Sequence, residues 1–257
     1  MADFAVPQSA GVGWDGVEST DARFLDPVGR VRQLPWGEAA REVVLEGCSP
    51  LAAFPVRPGR RVAPGWWWSA TCGRLVAYGS GLMRTQVMLM DRDPGVVALA
   101  CQPVELVWSE RGTVVGHAPQ VMTRLADGSG LLVDCVGREG PSARLAARAA
   151  VVAAAVRAVG WRYRLAGPAD PVVVANVRWL AGYRHPRYGA GGCLSDVLGA
   201  FDRPRSAVEG VRSVGDPIAV WPVLFHALWH GLLQARLDVP LHERVLVSAS
   251  LGEGCVG

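Results

Sequence analysis

From Ser80 to Leu165 the chain alternates in a fixed order: a capped helix, five strand-like runs, a second capped helix and one more strand. Ser80 offers a hydroxyl to a helix predicted from about Gly81 to Met90, with Leu82, Met83, Gln86, Leu89 and Met90 at helical spacing. Asp93-Pro94-Gly95 ends it. Apolar, β-branched runs follow at 96–101, 104–108, 113–117, 121–125 and 131–136, with Glu110-Arg111-Gly112 and Ala126-Asp127-Gly128-Ser129-Gly130 as hairpin turns. Ser142 and Gly160 bracket the second helix, and Leu145, Ala149, Val152, Val156 and Val159 form its apolar stripe. Trp161 to Leu165 then returns to the sheet. This order predicts an α/β sheet covered by helices.

A second module is expected beyond Asp170-Pro171, an N-cap followed by proline at the first helical position. Its predicted helices lie near 194–200, 205–212 and 217–232, and segments around 234–237 and 244–247 suit a short wing. Three helices and a two-stranded wing make a winged-helix-like domain. Its third helix carries Ile218, Val220, Trp221, Val223, Leu224, Phe225, Leu228 and Trp229. Such a helix has little to offer a base edge, so packing or partner binding is its expected role. The expected division is therefore a lead-in over 1–49, an α/β domain over 50–170 and a helical domain over 171–257.

Composition removes several chemistries. There is no lysine, so all 26 basic residues are arginine. That excludes a phosphate-loop lysine, a Schiff-base lysine and the lysine of a PD-(D/E)xK nuclease. Hydrophobic residues make up 50% and charged residues 19%, which predicts a folded chain. A net charge of +3 is too small to imply nucleic acid by itself. Cys48, Cys72, Cys101, Cys135, Cys193 and Cys255 are scattered without a CxxC pair and are expected to be reduced. Met1-Ala2-Asp3-Phe4 opens without a basic or apolar leader. The apolar run from Ile218 to Leu233 is short for a bilayer and is broken by Pro222, His226 and His230. A cytoplasmic location without a membrane partner is the resulting expectation. His226 and His230, four apart on a helix, have metal-compatible spacing but lack an HExxH glutamate, so they read as satisfied histidines.

Arg57-Pro58-Gly59-Arg60-Arg61 precedes Pro64-Gly65-Trp66-Trp67-Trp68. Arginines beside aromatic rings suit phosphate contact and base stacking, while the competing reading makes the tryptophans core and the arginines a solvated rim. The run from Pro64 to Thr71, Met88-Leu89-Met90-Asp91 and His117-Ala118-Pro119 resemble the actinobacterial TnsA-like heteromeric transposase endonuclease subunits. So do Arg124 to Gly130, Val133-Asp134, Val174 to Arg187, and the tail from Val223 to Leu241. The resemblance covers roughly residues 50 to 250.

This resemblance implies a restriction-endonuclease-like (PD-(D/E)xK-type) core, metal-dependent cleavage of one DNA strand and a transposase partner. In the family pattern a helical glutamate falls at Met83, an aspartate at Gln120, a retained metal ligand at Asp134, and a basic side chain at Val136. Mg²⁺ prefers anionic oxygen, which a thioether and an amide do not supply. The expectation is a pseudo-nuclease without a cofactor, Mg²⁺ being implied only if cleavage survives. Arg57, Arg60, Arg61 and Arg84 are its DNA-contact candidates. Two alternatives stand beside it. One is a protein-interaction module that does not touch DNA. The other is a nuclease whose site has been rebuilt from Asp91, Asp93, Glu105 and Asp134.

Overall fold

The computed structural model describes residues 3–6, 20–52, 54 and 64–249. They form a mixed α/β protein with several sheets, seven α-helices among the described residues, and two compact units, Met1–Pro168 and Ala169–Gly257.

The first unit contains β1 (Asp3–Phe4), β2 (Asp21–Leu25), β3 (Val31–Pro35), α1 (Trp36–Glu42), β4 (Gly65–Ser69) and β5 (Arg74–Tyr78). It continues through α2 (Gly81–Arg92), β6 (Val96–Cys101), β7 (Val104–Glu110), β8 (Thr113–His117) and β9 (Val121–Leu125). β10 (Gly130–Cys135), α3 (Ala143–Ala158) and β11 (Arg162–Ala166) complete it. Local signals account for the helices. Ser80 Oγ accepts from Met83 N and Ser142 Oγ from Leu145 N, each satisfying an amide of a helix's first turn.

The five strand-like runs do not form one meander. β6, β9 and β10 join β11 and β1 in a five-stranded sheet ordered β1-β11-β10-β9-β6, with β10 and β11 parallel. β7 and β8 form a hairpin outside it, and β7 pairs with β2 in a separate four-stranded sheet ordered β3-β2-β7-β8. The chain turns out of the first sheet at Gln102, which has a positive φ of 46°, followed by Pro103. The hairpin then buries Val104, Leu106 and Trp108 against Ala22, Phe24 and Trp36. Residues 20–42, part of the lead-in expected over 1–49, thus supply β2, β3 and α1 to this unit.

The core closes around two tryptophans. Trp36 is buried, donates its indole N–H to Ala155 O at 3.0 Å, and meets Trp161 edge-on at 5.2 Å. Arg124 lies over Trp161 at 4.6 Å and bonds both Glu46 carboxylate oxygens, at 3.1 and 2.9 Å. Gly130 makes room for this stack, since a Cβ there would lie 2.1 Å from Trp161 Cε3.

The second unit runs α4 (Pro171–Leu180), α5 (Leu194–Ala200), β12 (Arg205–Ser206), α6 (Ala207–Val214), α7 (Pro217–Trp229), β13 (Leu233–Ala235) and β14 (Leu246–Ala249). Its antiparallel sheet has the order β12-β14-β13, so the two-stranded wing expected from sequence has a third strand. Arg205 and Ser206 form that strand because Ser206 caps α6 through a reciprocal bond pattern with Glu209, which delays the helix start to Ala207. α7 stops at Trp229, three residues short of the expected Leu232, and Gly231 follows with a φ of 69°.

Candidate functional site

Asp134 lies on β10, in the five-stranded sheet, with its side chain 1% exposed. A carboxylate so placed needs donors, and three come from separate parts of the first unit. Tyr163 on β11 donates its hydroxyl to Oδ2 at 2.5 Å, and His117 at the end of β8 places Nε2 2.6 Å from the same oxygen. The backbone N–H of Gln120 reaches Oδ1 at 3.3 Å. With the carboxylate as acceptor, His117 carries its proton on Nε2, which fixes the ring tautomer.

Burial comes first among the causes that push the Tyr163 hydroxyl well above its ordinary pKa, with the Asp134 charge second; the phenol stays a proton donor. Cys135, the next residue, is pushed up to about 12, again by burial first and by Asp134 second. Its thiol is a weak nucleophile at neutral pH. The cluster therefore acts as a hydrogen-bonded lock on a buried charge.

Each of the other positions singled out from sequence has its own surroundings. Gln120 is beside Asp134, but its side-chain Oε1 accepts from Cys135 N at 3.2 Å, capping the end of β10. Val136 is buried with Ala149 and Leu165 in a small apolar cluster. Met83 is buried at the start of α2, where its sulfur accepts from Gly79 N at 3.4 Å. Arg84 is exposed on α2. Arg57, Arg60 and Arg61 lie outside the described residues.

The carboxylates of the rebuilt-site alternative have separate tasks. Asp91 is buried and accepts from Trp67 Nε1 (2.8 Å), Ser69 Oγ (2.5 Å), Ala70 N (3.0 Å) and Thr71 N (2.9 Å). It therefore ties the β4–β5 ribbon to the end of α2. Asp93 Oδ1 accepts from Gly95 N inside the turn, and Glu105 pairs with Arg23 at 3.0 Å. Among the described residues no group of three or more His, Cys, Asp or Glu side chains is arranged to hold a metal ion.

In the second unit His226 Nδ1 donates to Tyr183 O at 2.8 Å and His230 Nε2 to Arg184 O at 3.1 Å. Their four-residue spacing serves the backbone around 183–184. A nearby groove of about 490 Å³ is lined by Trp179, Trp221, Phe225, Leu228, His242 and Glu243, among others.

His117 and Tyr163 are the site residues that sequence reasoning missed. His117 stood inside a quoted His-Ala-Pro run and Tyr163 inside a strand, so the available signal was an aspartate in an apolar strand that had to find donors. Fold and site together define a mixed α/β protein with a buried aspartate that accepts three hydrogen bonds. Comparison with protein-family models and with curated proteins returns no match for this chain. No helix among the described residues is long and apolar enough to cross a membrane.

Proposed function

We propose that this chain is a pseudo-nuclease related to the TnsA-like endonuclease subunits, acting in DNA binding or complex assembly without cutting DNA. The observation that carries the reading is the engagement of Asp134. Oδ2 receives two hydrogen bonds at 2.5 and 2.6 Å, and the side chain is 1% exposed. Both of that oxygen's in-plane lone pairs are committed. A thioether at Met83, an amide at Gln120 and an aliphatic side chain at Val136 complete a donor set that does not fit Mg²⁺.

The element order supports a restriction-endonuclease-like core, since helix α2, antiparallel β6-β9-β10, helix α3 and the parallel return of β11 follow the order read from sequence. The sheet order β12-β14-β13 behind α5, α6 and α7 supports a winged-helix-like second domain. On this reading Arg84 on the exposed side of α2 is a phosphate contact.

A fluorescence-anisotropy titration with a duplex oligonucleotide between 50 and 200 mM salt tests the DNA half of the proposal. DNA association predicts an affinity that falls about tenfold or more across that range, as counterion release requires. No binding at the low-salt end removes DNA from the reading and leaves complex assembly alone.

A further inference from the structure

We infer that β8 is the seam of a homodimer, in which two copies pair these strands antiparallel across a twofold axis. The seam needs neither DNA nor metal chemistry, so it goes beyond the proposed function. β8 is an edge of the four-stranded sheet, whose order is β3-β2-β7-β8. Its hairpin turns through Arg111 and Gly112, with φ of 51° and 78°, the positive pair that a tight two-residue connection adopts. Glu110 and Thr113 then close the ladder, and Trp108–Val115 and Leu106–His117 are the next hydrogen-bonded pairs. The N–H and C=O groups of Val114 and Gly116 are left pointing out of the sheet. Among the described residues neither backbone finds another partner, and Val114 is 71% exposed. The edge is held at both ends, by the turn and by the 2.6 Å bond from His117 to Asp134.

The edge is also unguarded. Proteins blunt open edges with charged side chains and proline. The opposite edge, β3, carries Arg32 and ends in Pro35, whereas β8 reads Thr-Val-Val-Gly-His. Residues 112–118 contain no arginine, aspartate or glutamate. Glu105 lies over Gly116, and its charge is answered by Arg23 at 3.0 Å. Outward backbone groups call for an extended strand as the occupant. The register within β8 selects a second copy. Val114 of one copy set opposite Gly116 of the other pairs every outward N–H and C=O on both strands. Val115 then faces itself on the axis at the close, non-hydrogen-bonded position, where β-branched pairs are favourable. Thr113 falls opposite His117, and no like charges meet along the seam. Such an isologous contact closes on itself at the dimer.

Sedimentation equilibrium of the full chain between about 1 and 100 µM tests this. The expected result is a reversible monomer–dimer equilibrium. Val114→Pro removes an outward N–H while sparing the ladder to β7, and Val114→Lys adds the guard charge that the edge lacks. Each should weaken dimerisation about tenfold or more. Val114→Thr keeps the backbone and the branching and should dimerise as the wild-type chain does. Val114 is exposed, so the lysine variant keeps the test meaningful if the proline variant fails to fold. Val115→Cys should form a disulfide between copies on mild oxidation, because facing residues at that position lie within disulfide reach. A monomer at every concentration overturns the inference, and so does a dimer that both Val114→Pro and Val114→Lys leave intact. Growth beyond the dimer overturns the twofold register. In a monomer, protection of the Val114 and Gly116 amides from hydrogen exchange would make the chain's own residues the occupant, which overturns it as well. None of these outcomes bears on plasmid cleavage, so the two claims fail separately.

Discussion

His117 at the end of β8 and Asp134 on β10 belong to different sheets and meet at 2.6 Å, so one hydrogen bond ties the four-stranded sheet to the five-stranded one. Tyr163, from the neighbouring strand β11, completes the junction at the same carboxylate oxygen. A residue at the position where the resemblance implies a metal ligand is thereby given a structural task.

Removing one donor should be costly. Tyr163→Phe keeps the ring and deletes the hydroxyl, and hydrogen bonds to charged groups contribute about 1.5–3 kcal/mol each. Urea unfolding should show a loss in that range. A double-mutant cycle with His117→Ala should show coupling, because both donors share Oδ2.

Alkaline pH should destabilise the first unit. Cys135 is raised from an ordinary 9.0 to about 12, and Tyr163 is raised above an ordinary 10.0. Groups raised on folding contribute stability that is full below their unfolded values and is lost as pH climbs through the folded ones. The melting temperature should therefore fall steadily above pH 9, and Cys135→Ala should flatten the decline between pH 9 and 12. A profile identical in that variant would contradict the assignment.

Gly130→Ala should destabilise by about 1–3 kcal/mol, as overpacking a filled core does. The added methyl would press on Trp161 at 2.1 Å, in the stack that Trp36 and Arg124 complete. Trp161 fluorescence and the urea midpoint should both shift.

Asn176→Ala should loosen the loop between β13 and β14. The amide donates to Leu237 O and Val239 O and accepts from Leu241 N, at 2.9, 2.7 and 3.0 Å. Hydrogen exchange at Leu241 N should rise by an order of magnitude or more, since each such bond contributes about 1 kcal/mol. Unchanged protection there would show that the loop is held by other contacts.

Helices were the part most legible in the sequence, because their determinants are local. Ser80, Ser142 and Asp170 announced three helix starts, and each side chain bonds the first-turn amides as a cap should. The strands were legible one at a time, but their partners were not. Nothing around Gln102-Pro103 revealed that β7 would pair with β2, some eighty residues earlier, since such pairing depends on which apolar faces find each other. β12 is two residues long and gives no periodicity to read.

The site followed the same division. Asp134 stood out as a carboxylate in an apolar strand, and the absence of lysine was plain. The donors that hold it were hidden, because His117 and Tyr163 lie 17 and 29 residues away and reach it only through the meeting of β8, β10 and β11.

The most direct measurement is nicking of supercoiled plasmid by the purified chain in Mg²⁺ and in Mn²⁺, with Asp134→Ala beside it. The account predicts no nicking above background from either protein with either metal. Nicking by the wild-type chain that Asp134→Ala abolishes would contradict it, because the carboxylate would then serve a metal as well as His117 and Tyr163.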